Sequence, residues 1–205
     1  MKNKGCMSAG IVLVVLLIIV VGGFFWGKGV YNTLVTQDNE VQKVWGDVET
    51  VYQKRANLIP NLERTIKNYT EYERGTLTDV VEARAKATSV NIDPSNMTEA
   101  DMQKFQQAQN QFTGALGRLM AVVESYPNLK ADQQYTNFQR EYTAIENSIR
   151  METTNYNEAA RNYNTYKQQF PTNILVGFFQ RFKDKPYFKA EEGAEKAPEV
   201  FKENE

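Results

Sequence analysis

An uncharged apolar stretch near the N-terminus, followed at once by long seven-residue repeats, constrains the fold of this chain most. No charged residue lies between Gly5 and Gly27, and Ile, Val and Leu run unbroken from Ile11 to Val21. As a helix rising about 1.5 Å per residue, these 23 residues span roughly 34 Å, which exceeds a hydrocarbon layer about 30 Å thick. The stretch therefore predicts a single transmembrane helix.

The residues that follow the apolar run favour a retained anchor over a cleaved signal peptide. Phe24–Trp26 and Tyr31 lie where an aromatic belt sits at a membrane surface. A signal peptide has a shorter apolar run that ends in a small-residue cleavage site, whereas Gly22-Gly23 leads here into Phe-Phe-Trp. Cys6 precedes the run, and this order disfavours a lipoprotein anchor.

Positive charges around the stretch leave its orientation almost balanced. Lys2 and Lys4 stand before it, and Lys28 and Lys43 lie within about 20 residues after it. Together with the α-amine, this distribution slightly favours an N-terminus in the cytoplasm and a domain outside.

Apolar residues in the next segment recur every seven positions, which indicates a long helix with one buried face. We expect this helix to run from the membrane to about Lys86, with a kink at Pro60, because proline removes a backbone donor. Its two seams are Leu34, Val41, Val48, Arg55, Leu62 and Tyr69, and Trp45, Tyr52, Ile59, Ile66, Glu73 and Val80.

Two further segments carry the same period. Thr98 and Asp101 have the spacing of a capping box and predict the start of a second helix, which ends before Pro127. Pro171 ends the third helix, and a short amphipathic helix is predicted at 174–182. The seam of the third helix is Tyr135, Tyr142, Ile149, Tyr156, Tyr163 and Phe170.

These helices predict an all-α fold. A seven-residue repeat keeps its seam facing a partner when helices wind left-handedly, as in a coiled coil. We expect an N-terminal single-pass transmembrane helix, then an elongated antiparallel bundle of three long helices plus a short C-terminal helix. The expected division is a flank at 1–8, the transmembrane helix at 9–29, the bundle at 30–188 and an acidic disordered tail at 189–205.

Polar residues on and beside the seams form the first candidate site. A buried carboxylate must be paired, so we expect Arg55 or Arg84 to pair with Glu146 or Glu152 across helices. The Tyr-Asn repeat at 156–157 and 163–164 favours register specification, and a pocket between helices is the alternative. The cluster that would lock the bundle or orient a partner is Arg55, Asn57, Asn61, Glu73, Arg84, Glu146, Asn147, Asn157 and Asn164.

The segment after Pro171 is the second candidate site. Apolar residues at helical spacing stand beside cations there, as in helices that lie in a membrane interface. Packing on the end of the bundle is the competing interpretation, and we favour it. The candidate membrane-contacting residues are Ile174, Phe178, Phe179, Arg181, Phe182, Lys183 and Lys185.

Composition excludes several kinds of chemistry. Histidine is absent and Cys6 is the single cysteine, so Ser-His-Asp and Cys-His systems and Cys/His zinc sites cannot form. The sequence has no phosphate-binding glycine motif, and its net charge of −1 does not indicate nucleic acid binding. We expect no cofactor, no metal, no nucleic acid and no small-molecule substrate, although carboxylate chemistry stays formally open.

Taken together, several short motifs resemble the LemA family over nearly the whole chain. They are Tyr31–Val35, Arg55–Leu62, Glu73, Arg84, Tyr126–Ala131, Glu146-Asn147, Tyr156-Asn157, Tyr163-Asn164 and Phe170-Pro171. The resemblance implies a single-pass membrane segment before a long α-helical domain, with no implied reaction. We expect the chain in a bacterial cytoplasmic membrane.

The function expected from these features is a non-enzymatic scaffold or interaction protein. It would be anchored in the membrane, contact the lipid bilayer and assemble as a homo-oligomer. A membrane-remodelling or lipid-contacting protein that uses residues 174–182 is the main alternative. A signalling adaptor and a carboxylate-based enzyme are further alternatives, and protein partners are not specified by the sequence.

Overall fold

The structure is a computed structural model that describes residues 3–67 and 74–189. Within these residues it contains no strand, so the predicted all-α class, with a long apolar helix at the N-terminus, is confirmed. Residues 1–2 of the expected flank, and all of the expected tail except Lys189, lie outside the described residues. The helices are α1 (Asn3–Lys67), α2 (Arg74–Ser89), α3 (Glu99–Val123), α4 (Pro127–Lys130), α5 (Gln133–Gln168) and α6 (Thr172–Val176).

Helix α1 joins the apolar segment to the bundle as one element. In the apolar segment, side chains such as Leu13 and Ile19 are 67% and 63% exposed. Further along the same helix, Leu34, Trp45 and Val48 are fully buried. The change in burial follows the change in sequence from uniformly apolar to a seven-residue repeat.

The expected continuous helix to about Lys86 is wrong. Helix α1 ends at Lys67, and α2 lies back along it. The evidence is a hydrogen bond from the Arg84 Nε to the Ala56 carbonyl at 2.8 Å, since these residues would be about 42 Å apart in one continuous helix. Folding back places Leu77 and Val80 in the core that α1 and α3 share. The seven-residue repeat predicts which face of a helix is buried. It does not distinguish one long helix from two helices folded into a hairpin, because both bury that face.

The starts of α3 and α5 are capped as their sequences require. The Thr98 hydroxyl accepts from the Asp101 amide at 3.2 Å, and the Asp101 carboxylate accepts from the Thr98 amide at 3.0 Å. This confirms the predicted capping box. Asp132 caps α5 by accepting from the Gln134 amide at 2.7 Å. The long helix α5 then packs along α1.

Two hydrophobic clusters form the core, one behind the other along α1. We call the one nearer the apolar segment the proximal core and the other the distal core. The proximal core includes Leu34, Trp45, Val48, Met102, Phe105, Tyr156 and Tyr163. The distal core includes Ile59, Leu62, Val80, Phe112, Leu116 and Tyr135. Arg55 lies between them, after Val48 and before Ile59 on the same helix.

The predicted amphipathic helix at 174–182 is wrong in its extent. Helix α6 covers five residues, Thr172–Val176, and Gly177 follows it. Glycine is a poor helix former, and the chain beyond it turns so that Phe182 enters the proximal core beside Tyr31. Phe178 and Phe182 therefore do not share the face of one helix.

Candidate functional site

A buried arginine connects three helices between the two cores. The Arg55 Nη1 donates to the Thr113 hydroxyl at 2.8 Å and to the Glu146 carboxylate at 3.0 Å. Its Nη2 donates to the side-chain oxygen of Gln109 at 2.6 Å. We call these four residues the polar layer. It contains the expected cross-helix pair of Arg55 and Glu146.

Aromatic rings cover the polar layer. The Arg55 guanidinium carbon lies 4.9 Å from the ring centre of Tyr52 and 5.2 Å from that of Phe112, within the range of a cation–π contact. Burial raises the pKa of Tyr52 to about 12, and burial also raises that of Tyr142 to about 12. Both hydroxyls are neutral at physiological pH. The Arg55 side chain is only 2% exposed, whereas that of Glu146, at the edge of the layer, is 29% exposed.

The other residues of the predicted cluster lie elsewhere. Arg84 bonds the backbone of α1. Glu152, the alternative partner expected for an arginine and not a member of the cluster, accepts from Asn155 on its own helix. Three predicted members, Asn57, Asn61 and Asn147, lie on the exposed surface. Glu73 lies outside the described residues. Of the nine residues in the predicted cluster, the polar layer therefore contains only Arg55 and Glu146, joined by Gln109 and Thr113.

The asparagines of the Tyr-Asn repeat bind the C-terminal part of the described chain, whereas Tyr156 and Tyr163 pack in the proximal core. We call residues Phe182–Lys189, which have no regular secondary structure, the strap. The Asn164 side chain accepts from the Lys185 amide at 2.9 Å and donates to the Lys185 carbonyl at 2.8 Å. Asn157 makes the same pair of bonds to the Phe188 backbone, at 2.9 and 3.0 Å.

The spacing of the two asparagines suits an extended peptide. Seven residues of helix α5 separate them, which is about 10.5 Å. Three residues of extended chain, from Lys185 to Phe188, span at most about 10 Å. Two asparagines seven residues apart on the helix therefore match two strap residues three positions apart. Each asparagine side chain bonds both the N–H and the C=O of one strap residue, as a neighbouring β-strand would.

One lysine fixes the strap to two other parts of the fold. The Lys185 Nζ lies 2.6 Å from the Asp38 carboxylate of α1 and donates to the Pro94 carbonyl at 3.1 Å. It also lies 5.6 Å from the ring centre of Tyr163. The lysine and aspartate side chains are only 4% and 13% exposed. The strap therefore closes the proximal core with a buried ion pair.

A sequence model of the LemA family matches residues 44–201, which include both the polar layer and the strap. The chain belongs to the LemA family. The match begins within α1, after the apolar segment, and continues beyond the described residues.

Individual relatives are distant in sequence but long in overlap. The chain is 27% identical over 193 residues to magnetosome protein MamQ 2 of Paramagnetospirillum magneticum, covering 84% of this chain and 71% of that protein. It is 25% identical to protein LemA of Metamycoplasma hominis over 153 residues, with 75% and 66% covered. Magnetosome protein MamQ of Magnetospirillum gryphiswaldense is 24% identical, with 84% and 71% covered.

Sequence reasoning missed the strap of this LemA family chain. It assigned Phe182, Lys183 and Lys185 to a membrane-contacting segment, yet Phe182 and Lys185 are buried. The interpretation that we favoured, in which this segment packs on the end of the bundle, agrees with the burial of these two residues. The signal that was present is the seven-residue spacing of the Tyr-Asn pairs, but it did not indicate what the asparagines bind.

Two tyrosines of the same repeat offer a matched test of the strap contacts. The Tyr156 hydroxyl donates to the Pro186 carbonyl at 3.0 Å, whereas the buried Tyr163 hydroxyl has no partner among the described residues. We expect Tyr156→Phe to destabilise the fold by about 1–3 kcal/mol, because a buried carbonyl loses its donor. We expect Tyr163→Phe to cost no stability. Thermal unfolding in mild detergent measures both, and equal losses would contradict the assignment.

An open groove between α2 and α3 lies apart from the polar layer and reaches the strap at Lys189. Its volume is about 1170 Å³, and side chains of both charges and several amides line it. Its lining includes Asp79, Glu82, Lys86, Gln107, Asn110 and Arg118. Within the described part of the chain, acidic side chains form no group of three that could hold a metal ion. The groove offers hydrogen-bonding surface rather than an enclosed apolar pocket.

Proposed function

We propose that this chain is a membrane-anchored helical scaffold without catalytic activity of its own, which assembles with further copies of itself at the membrane. The observation that carries the proposal is helix α1. It holds an apolar segment whose most hydrophobic window is not buried by the protein, and it continues as one helix into the centre of the bundle.

The exposed apolar segment supports anchorage. An 18-residue window of α1 has a mean hydropathy of 2.7, and none of that window is buried within the protein. Removing one Val, Leu or Ile side chain from water is worth roughly 1.5–3 kcal/mol, so the run from Ile11 to Val21 favours lipid strongly. A helix of this length and composition suits a bilayer-spanning element.

The way α1 enters the bundle supports a structural role. From Gly27 to Lys67 the helix continues for about 60 Å with no flexible linker after the apolar segment. Hydrogen bonds of the polar layer join α1 to α3 and α5, as expected of groups that hold helices together. The relatives named as magnetosome proteins accord with a role as a component of a larger structure.

Alkaline extraction of membranes tests the anchorage. We expect the full chain to stay in the membrane pellet, and Leu16→Lys/Ile19→Lys to pass into the supernatant, because each central lysine disfavours insertion by about 2.5–3.5 kcal/mol. Val81→Lys/Met151→Lys, at two exposed apolar positions on the bundle, is the matched control and should stay in the pellet. A full chain that is extracted would contradict anchorage.

Sedimentation in mild detergent tests the assembly separately. The chain has a mass of 23.5 kDa, and we expect a multiple of it after correction for bound detergent. Monomers at all protein concentrations would refute self-assembly and leave the anchorage intact.

A further inference from the structure

The end of the bundle nearest the apolar segment exposes large apolar side chains, three of them by more than half of their surface. Phe170, Ile174 and Phe178 are 80%, 57% and 81% exposed, although most other aromatic side chains of the bundle are buried or half-buried. They lie in and around the short helix α6, where the chain turns from α5 to the strap. We call these three residues the apolar foot.

Contacts with α1 place the foot at the end of the apolar segment. Leu175, next to Ile174, packs so closely on Gly27 that a Cβ there would lie 3.1 Å from its Cδ1. Phe179, next to Phe178, has its ring centre 5.3 Å from that of Tyr31. Gly27 directly follows Trp26, the last residue of the exposed aromatic run.

This position corresponds to the depth of lipid headgroups. The polar region of each leaflet adds roughly 5–7 Å beyond the hydrocarbon, and Gly27 to Tyr31 covers about 6 Å of helix. Residues beside this part of α1 therefore lie within the interface if the apolar segment spans the bilayer. Exposed cations at the same level, Lys28 and Arg181, suit anionic headgroups.

Resting on the anchorage proposed above, we propose that the apolar foot inserts into the leaflet from which α1 emerges. The bundle would then contact the bilayer at a second place, beside α1. The continuity of the foot with the apolar segment selects lipid as its occupant. Two contacts fix the tilt and the rotation of a rigid body on a surface, which one helix alone does not.

Spin labels at single cysteines measure the depth of each part of the full chain. In a Cys6→Ser background, labels are placed by Ile19→Cys in the apolar segment, Phe178→Cys in the foot and Met151→Cys on an exposed site of α5. The chains are reconstituted in vesicles of phosphatidylethanolamine and phosphatidylglycerol. Collision with oxygen, which concentrates in lipid, is compared with collision with a water-soluble nickel chelate.

We expect the oxygen-to-nickel ratio at position 178 to be several-fold higher than at position 151 and lower than that at position 19, as suits the depth of the headgroups. A ratio at 178 equal to that at 151, with 19 still in lipid, would overturn the foot and leave the anchorage standing. A low ratio at 19 would reject the anchorage itself. Shielding of 178 from both reagents would mean that protein, such as a second copy, covers the foot, and would overturn the proposal.

A polar foot gives the matched variant. Phe170→Gln/Ile174→Gln/Phe178→Gln changes only exposed side chains, so the bundle should fold unchanged. With a label placed by Asn173→Cys, another exposed site of α6, we expect the oxygen-to-nickel ratio to fall several-fold in this variant. An unchanged ratio would show that the foot does not hold this region in the leaflet.

Discussion

Replacing Arg55 with leucine is expected to lower the free energy of unfolding by roughly 3–5 kcal/mol, because the change leaves Glu146 and Gln109 without their shared partner. For a chain of this size, such a loss lowers the unfolding temperature by roughly 6–20 °C. Circular dichroism of the full chain in mild detergent measures the transition.

The double variant Arg55→Leu/Glu146→Leu separates the ion pair from the loss of a large side chain. Replacing a buried pair by apolar residues is often close to neutral, so we expect it to recover part of the lost stability. Asn147→Leu, at the exposed residue beside Glu146, is the control and should change little. An unchanged unfolding temperature in Arg55→Leu would reject the polar layer as a stabilising contact.

Replacing Lys185 with methionine is expected to destabilise the chain by a similar amount, roughly 3–5 kcal/mol, and to release the strap. The substitution leaves the Asp38 carboxylate without its cation in a site that is 13% exposed. Hydrogen exchange followed by mass spectrometry should show faster exchange at the Lys185 and Phe188 amides, which the asparagines now protect.

The matched control for this change is Lys183→Met, two residues earlier on the exposed side of the strap. It removes the same charge without leaving a buried carboxylate, so its exchange pattern should resemble that of the unchanged chain. Lys185→Met/Asp38→Leu should restore much of the stability. Equal exchange in the two single variants would mean that the buried ion pair does not hold the strap.

The parts of the fold that could be predicted are those in which apolar residues recur at a regular spacing. A seven-residue seam identifies a helix and its buried face, and it identified α3 and α5 from Thr98 and Tyr135 onward. It also placed Arg55 and Glu146 on or beside buried faces, and their opposite charges made them one of the expected pairs. The seam does not say which helix covers that face, and so the hairpin of α1 and α2 was read as one rod.

The strap was not predictable for a different reason. An extended segment has no helical period, and its contacts join residues far apart in sequence, such as Asp38 and Lys185. Lys185, one of the cations that suggested a membrane surface, instead neutralises the Asp38 carboxylate. In the same segment, Phe178 is exposed and Phe182 is buried, a difference that composition cannot distinguish.

The unbroken course of α1 has a mechanical consequence. From Asn3 to Lys67 the helix is about 97 Å long, and it acts as a lever whose short arm lies in the apolar segment and whose long arm runs through both cores. A partner that pushes on the proximal core near Val48 applies a torque to residues 11–26, because Pro60, the one proline of the helix, lies beyond that point. Crowding of bundles side by side would then be felt by the surrounding lipid as a change in helix tilt.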